Sequence, residues 1–111
     1  MKHLKQFESY FDKDYPWTES EGDAILKAFD EGTIEEATKE VEVRPTYRAD
    51  GDTTETTFRF KVEGKQISVQ LIEYPHRDPH IIIRINGLTT WIPTDSEYRT
   101  EILDRCFKTI S

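Results

Sequence analysis

One stretch holds residue types that could do chemistry together: Tyr74-Pro75-His76-Arg77-Asp78-Pro79-His80. His76-Arg77-Asp78 is the triplet of the protein-kinase catalytic loop. Here no asparagine follows at the required spacing, no glycine-rich loop accompanies it, and a chain of 111 residues is far too short for that fold. His76 and His80 stand four residues apart, as in helical zinc motifs. Two prolines bound the segment, so it reads as a loop in which Asp78 caps the turn or pairs with Arg77. His3 is the remaining imidazole and Cys106 the sole thiol, so no metal or cofactor site is assigned. Cys106 falls on the apolar stripe of a C-terminal helix, the place of a small buried hydrophobe rather than a nucleophile. No serine sits in a nucleophile elbow, and no two acids have environments that would split their pKa values. The expectation is a non-enzymatic protein without catalytic residues.

The elements that position these residues centre on Glu55 to Pro93. Thr57 to Glu63 alternates, with Phe58, Phe60 and Val62 on one face, and Gln66 to Glu73 does the same with Ile67, Val69 and Leu71. Gly64-Lys65 suits a type II′ turn, which would pair Val62 with Ile67, Phe60 with Val69 and Phe58 with Leu71. Asn86-Gly87 is the strongest hairpin signal. It pairs Ile85 with Leu88, Arg84 with Thr89, Ile83 with Thr90, Ile82 with Trp91 and Ile81 with Ile92, before Pro93 stops the strand. Glu42 to Ala49 reads as a further strand, with Val43 and Tyr47 inward and Pro45 marking an edge. Asp50-Gly51-Asp52 follows as a turn.

Helices flank this sheet. Leu4, Phe7 and Phe11 give a helical period over Lys2 to Asp12, which Pro16 ends. Thr18 with Glu21 forms a capping box before Ile25, Ala28 and Phe29, and Gly32 closes that helix. Thr33 with Glu36 predicts a short third helix with Ile34, Ala37 and Val41 inward. Thr94 with Glu97 predicts the start of a C-terminal helix with Tyr98, Ile102, Cys106 and Ile110 along its stripe, Leu103 and Phe107 beside it. Most of the aromatics Phe7, Tyr10, Phe11, Tyr15 and Trp17 are assigned to packing helices on the sheet. The expected fold is α+β: N-terminal helices, a five-stranded antiparallel meander and a C-terminal helix, with the helices packed on one sheet face.

Length and composition fit one domain over 1–111 with one modest core. It comprises an acidic helical part (1–42), the sheet (43–93) and the last helix (94–111). Periodic apolar residues and abundant aromatics argue against disorder despite a hydrophobic fraction of 35%. No apolar run approaches a membrane span and the N-terminus lacks the apolar segment of a signal peptide. With one cysteine, a cytoplasmic protein without membrane partners is expected. The net charge is −7, and residues 1–42 alone hold twelve acids against five bases.

Strand parity then predicts a basic, partly apolar outer sheet face. Arg44, Arg48, Arg59, Lys61 and Arg84 would lie there, with Glu63 the main acid and Ile72, Ile82 and Trp91 as an apolar island. These eight basic and apolar residues are the expected binding residues, since Trp and Arg are common interface anchors. The functional expectation is a small acidic protein-binding module, a regulator or inhibitor. It would act through the sheet face or through acidic helices that imitate nucleic-acid phosphates, as viral and mobile-element inhibitors do; the imitation is an analogy of charge. The alternative is a nucleic-acid binder that uses the basic open face around Trp91. Self-association of the basic face with the acidic helices is a third reading.

Overall fold

The computed structural model describes residues 15–45, 51–93 and 96–111. Helix α1 (Glu19–Glu31) is followed by strands β1 (Glu35–Pro45), β2 (Asp52–Val62), β3 (Lys65–Glu73), β4 (His80–Ile85) and β5 (Leu88–Thr89), then helix α2 (Glu97–Thr109). The five strands form one antiparallel sheet in sequence order, a meander within an α+β fold. The expected helix over Lys2 to Asp12, and Tyr47 and Arg48, lie outside the described residues.

Three cross-strand rungs build the inner face. Phe60 pairs with Ile67 and Ile67 with Ile85; Phe58 with Val69 and Val69 with Ile83; Thr56 with Leu71 and Leu71 with Ile81. All but Ile81 are buried. Ile25, Ala28 and Phe29 of α1 and Ile102 and Cys106 of α2 join these strand residues in one core cluster, with Ile110 just beyond α2. Each large side chain so buried contributes roughly 1.5–3 kcal/mol. Phe29 meets Phe60 edge-on at 4.9 Å, and Phe107 meets Phe58 likewise at 4.9 Å although Phe107 stays 45% exposed. Gly22 lets the helices approach, because a Cβ there would collide with the Tyr98 ring. Gly32 ends α1 in the left-handed conformation, φ 70°, as the sequence predicts.

Several expectations are corrected. The β2–β3 turn is Glu63-Gly64, both with positive φ (51° and 81°), not Gly64-Lys65. Val62 therefore faces Lys65, and the register moves by two residues. A two-residue shift keeps every side chain on its face, so the apolar pattern does not exclude it. The primed turn with two positive φ values matches the strand twist, and outweighs a strain of about 1–2 kcal/mol for Glu63 in that region.

The short helix expected from Thr33 and Glu36 is instead the first half of β1. Glu36 has φ 51° and lies in a bulge between Glu35 and Thr38. A Thr-x-x-Glu spacing arises readily in so acidic a segment, whereas the alternation Lys39, Val41, Val43 against Glu40, Glu42, Arg44 is a strand pattern. Val43 does lie on the inner face, opposite Thr54, but β1 extends beyond the helices and both Val41 and Val43 are 56% exposed. β2 accordingly starts at Asp52.

Two capping boxes also resolve differently. Thr18 is the N-cap of α1 without a side-chain cap bond. Glu21 turns instead to the sheet, accepting from Lys65 Nζ (3.0 Å) and from Tyr15 Oη (2.8 Å). Ser96 caps α2 by accepting from the Tyr98 amide at 3.3 Å; Thr94, the expected cap, lies outside the described residues.

β5 is shorter than the sequence suggests. Pairing stops after Ile85 with Leu88 and Arg84 with Thr89. Thr90 still donates its amide (2.9 Å) and hydroxyl (2.6 Å) to the Ile83 carbonyl, but the expected Ile82–Trp91 and Ile81–Ile92 pairs are absent from the ladder. Arg99 of α2 enters the gap. Its Nη1 donates to the Ile81 carbonyl (3.3 Å) and its Nη2 to the Ile92 carbonyl, while Nε is buried without a partner. One guanidinium thus replaces the missing rungs. The edge of β5 is closed by Tyr15, whose amide donates to the Thr89 carbonyl at 2.9 Å.

Arg99→Ala is expected to destabilise the fold by about 2–3 kcal/mol, because two backbone carbonyls lose charge-assisted bonds. Urea denaturation checks this, with Arg99→Lys recovering part of the loss. The Glu21–Lys65–Tyr15 cluster generates a pH prediction. Burial works against the Glu21 charge, but the bonds from Lys65 and Tyr15 outweigh it and hold the carboxyl below its usual range. Glu21 therefore stabilises the fold above its unfolded pKa of about 4.3, and that contribution disappears as pH falls through the folded value. Glu21 and Tyr15 together raise the Lys65 pKa. Its contribution is accordingly full below the ordinary lysine pKa, near 10.4, and is lost as pH rises through the folded value. Thermal midpoints measured against pH should show both flanks in the native chain, and Glu21→Gln should flatten the acid one.

Candidate functional site

The expected binding residues separate into two places. On the outer sheet face, Arg44, Arg59 and Lys61 alternate with threonines along β1 and β2. Each is held by a carboxylate: Arg44 by Glu42 and Glu55, both at 3.2 Å, Arg59 by Glu40 at 3.2 Å, and Lys61 by Glu36 at 2.6 Å. The Glu42 bond raises the Arg44 pKa, and the Glu36 bond that of Lys61. The expectation of a basic face is therefore corrected. Only part of it followed from placing residues 33–41 in a helix, since Glu42 and Glu55 lie outside that segment and share the outer face by strand parity. As a strand, β1 adds Glu40 to the outer face and Glu36 at its bulge, against Arg59 and Lys61. Ile72 is half-buried opposite His80, and Ile82 half-buried opposite Gln70.

Trp91, Ile82 and Arg84 do come together. They line a hollow of about 540 Å³ that also takes in His80, Thr89 and Arg99. Arg84 donates to the Gln70 amide oxygen at 3.4 Å. Trp91 is 69% exposed, the most exposed large apolar side chain among the described residues. It stands as a ridge, because the same ring borders a second hollow of about 640 Å³ on its other side.

That second hollow lies between the starts of α1 and α2. Trp17, Tyr98 and Leu26 give it apolar walls, and Glu19, Asp23, Glu97 and Glu101 give it four carboxylates. Trp17 and Tyr98 meet edge-on with centroids 6.0 Å apart, and the Tyr98 hydroxyl donates to Asp23 at 2.7 Å. That bond, with the charges of Glu19 and Glu101 nearby, pushes the Tyr98 phenol up to about 12. None of the seven ion pairs among the described residues involves any of these four acids.

Both helices start here for a local reason. Tyr15 is tied to β5, so α1 begins four residues from that edge; α2 begins shortly after Trp91 and Pro93 leave the same edge. The sequence carries a readable signal for the hollow. Glu19 with Asp23 and Glu97 with Glu101 are like-charged neighbours at i and i+4, a spacing that disfavours a helix by a few tenths of a kcal/mol.

The Tyr74–His80 loop is exposed. The Tyr74 and His80 rings meet edge-on at 5.4 Å, and the Arg77 guanidinium lies over Tyr74 at 5.9 Å. Among the described residues no three His, Cys, Asp or Glu side chains are placed so that they could hold a metal ion. Burial pushes the Cys106 thiol up to about 12, which keeps it protonated at neutral pH. No helix among the described residues is long and apolar enough to cross a membrane. Comparison of the chain with protein-family models, with curated proteins and with solved structures finds no match in any of the three.

Proposed function

We propose that this chain is a small protein-binding module of the regulator or inhibitor kind, and that it meets its partner with the surface around Trp91. The exposure of that indole between two hollows carries the reading. A tryptophan left 69% in water forgoes much of its burial energy in the free protein. Flanked by concave walls with polar rims, it has the form of an interface anchor: a large rigid side chain that a partner can desolvate completely. The single buried thiol suits a reducing, cytoplasmic setting.

The nucleic-acid alternative draws less support from the geometry. Arg44, Arg59 and Lys61 would have to exchange carboxylate partners for phosphates. The net charge of −7 opposes approach of a polyanion. Self-association by charge complementarity loses its basic half for the same reason.

Affinity capture from cell extract, quantified for the native chain and for Trp91→Ala, tests this reading. A defined protein retained by the native chain is expected to fall at least about ten-fold with Trp91→Ala, equivalent to about 1.4 kcal/mol. Arg59→Ala/Lys61→Ala should retain it. Because Trp91 is exposed, its replacement should move the thermal midpoint little. Equal capture by Trp91→Ala, or salt-sensitive oligonucleotide binding abolished by the Arg59/Lys61 pair, would overturn the proposal.

A further inference from the structure

We infer that the hollow between α1 and α2 receives an arginine side chain presented by a basic segment of the partner protein. The inference rests on the protein-binding reading and assigns the chemistry of one half of the contact.

Charge complementarity decides the occupant. Four carboxylates line the hollow, no lysine or arginine does, and none of the four is ion-paired among the described residues. Elsewhere on the same helices three of the four acids are engaged, Glu21 with Lys65 at 3.0 Å, Asp30 with Arg105 at 3.1 Å and Asp104 with Lys108 at 2.9 Å, and Glu31 at the end of α1 is the exception. Four of the five acids without an ion pair on the two helices thus lie toward their N-terminal ends, around the hollow. Those ends also offer backbone amides, which would favour an anion instead. Two helix termini supply about +0.5 charge each, whereas the side chains supply four full negative charges. The cation wins that comparison.

The walls favour arginine over a compact ammonium. Trp17, Tyr98 and Trp91 present aromatic surface around the acids. A planar guanidinium can stack on such rings while its fork engages a carboxylate bidentately. Asp23 already accepts from Tyr98, so it has a fixed position and a second oxygen to offer. Binding would also relieve the i, i+4 repulsions of Glu19 with Asp23 and Glu97 with Glu101. Trp91 belongs to both hollows, so one partner segment crossing its ring would place an arginine on this side while covering the indole.

The test is a fluorescence titration with an acetylated, amidated hexa-arginine peptide, a citrulline peptide of the same length, and spermine. Any cationic peptide is drawn to a protein of net charge −7, so two variants that each remove two charges are compared. Glu19→Gln/Glu101→Gln alters the hollow. Glu31→Gln/Glu63→Gln alters exposed acids at the far end of α1 and in the β2–β3 turn. The hexa-arginine peptide should bind the native chain and the second variant within about two-fold of each other. It should lose at least about ten-fold, or about 1.4 kcal/mol, on the first. The thermal midpoint of the first variant should be unchanged or raised, which separates lost binding from lost fold.

Equal weakening by both variants would show long-range attraction alone and overturn the inference. So would absence of binding to the native chain, equal affinity for the citrulline peptide, or tighter binding of spermine than of the peptide. In each of those cases a partner still lost with Trp91→Ala would leave the protein-binding reading standing. Capture indifferent to Trp91 would remove that reading itself.

Discussion

The inner-face rungs of the sheet are the constraint on which the rest of the molecule depends. Phe58, Phe60, Ile67, Val69, Ile83 and Ile85 are all buried, and they can be buried only if helices cover them. The apolar stripe of α1, Ile25, Ala28 and Phe29, and that of α2, Ile102 and Cys106, do so in one shared cluster. Each helix is launched from the same sheet edge, α1 after Tyr15 and α2 after Pro93. Both N-termini therefore converge beside β5. The hollow between them, and the exposed indole at its rim, follow from burying the sheet.

Where the edge is least regular, side chains complete it. Arg99 replaces the rungs that β5 does not form, and Tyr15 bonds to the strand's outer side. The chain leaves β5 after two residues and carries Trp91 out of the ladder into solvent. A longer β5 would have held Trp91 opposite Ile82 on the outer face. The irregularity is what turns the ring into a ridge between two hollows. The charges divide along the same line. On the outer face β1 sets acids against bases, and the face is close to internally neutral along β1 and β2. Beside the ridge four acids remain without an ion pair among the described residues.

Much of this fold was legible in the sequence, for reasons that can be named. Alternation over Thr57–Glu63 and Gln66–Glu73 fixed which side chains face inward, because parity has only two outcomes. Asn86-Gly87 placed its hairpin correctly because both residues tolerate positive φ. Gly32 ended α1 for the same reason. Alternation is silent about a two-residue shift, so the β2–β3 register was missed. The failure with larger consequences was Thr33-Ile34-Glu35-Glu36. The local capping signal there competes with the longer alternation through Val43, and reading it as a helix hides Glu36 and Glu40, two of the acids that neutralise the outer face. The candidate site was half legible. Trp91, Ile82 and Arg84 meet as parity suggested, but by lining a hollow rather than by pairing. The acids of the other hollow come from two helices far apart in sequence, and only the packing of Gly22 against Tyr98 brings them together.

The central claim is that the chain makes its contact beside Trp91 and with cations, not across the strands. Two-dimensional NMR of the uniformly labelled chain, titrated with the hexa-arginine peptide, addresses it directly. The account predicts shifts at the indole signals of Trp17 and Trp91 and at the amides of Glu19, Asp23, Glu97 and Glu101. Amides of Arg59, Lys61 and Gln70 should stay in place. Shifts confined to the outer sheet face, or spread evenly over every exposed acid, would contradict it.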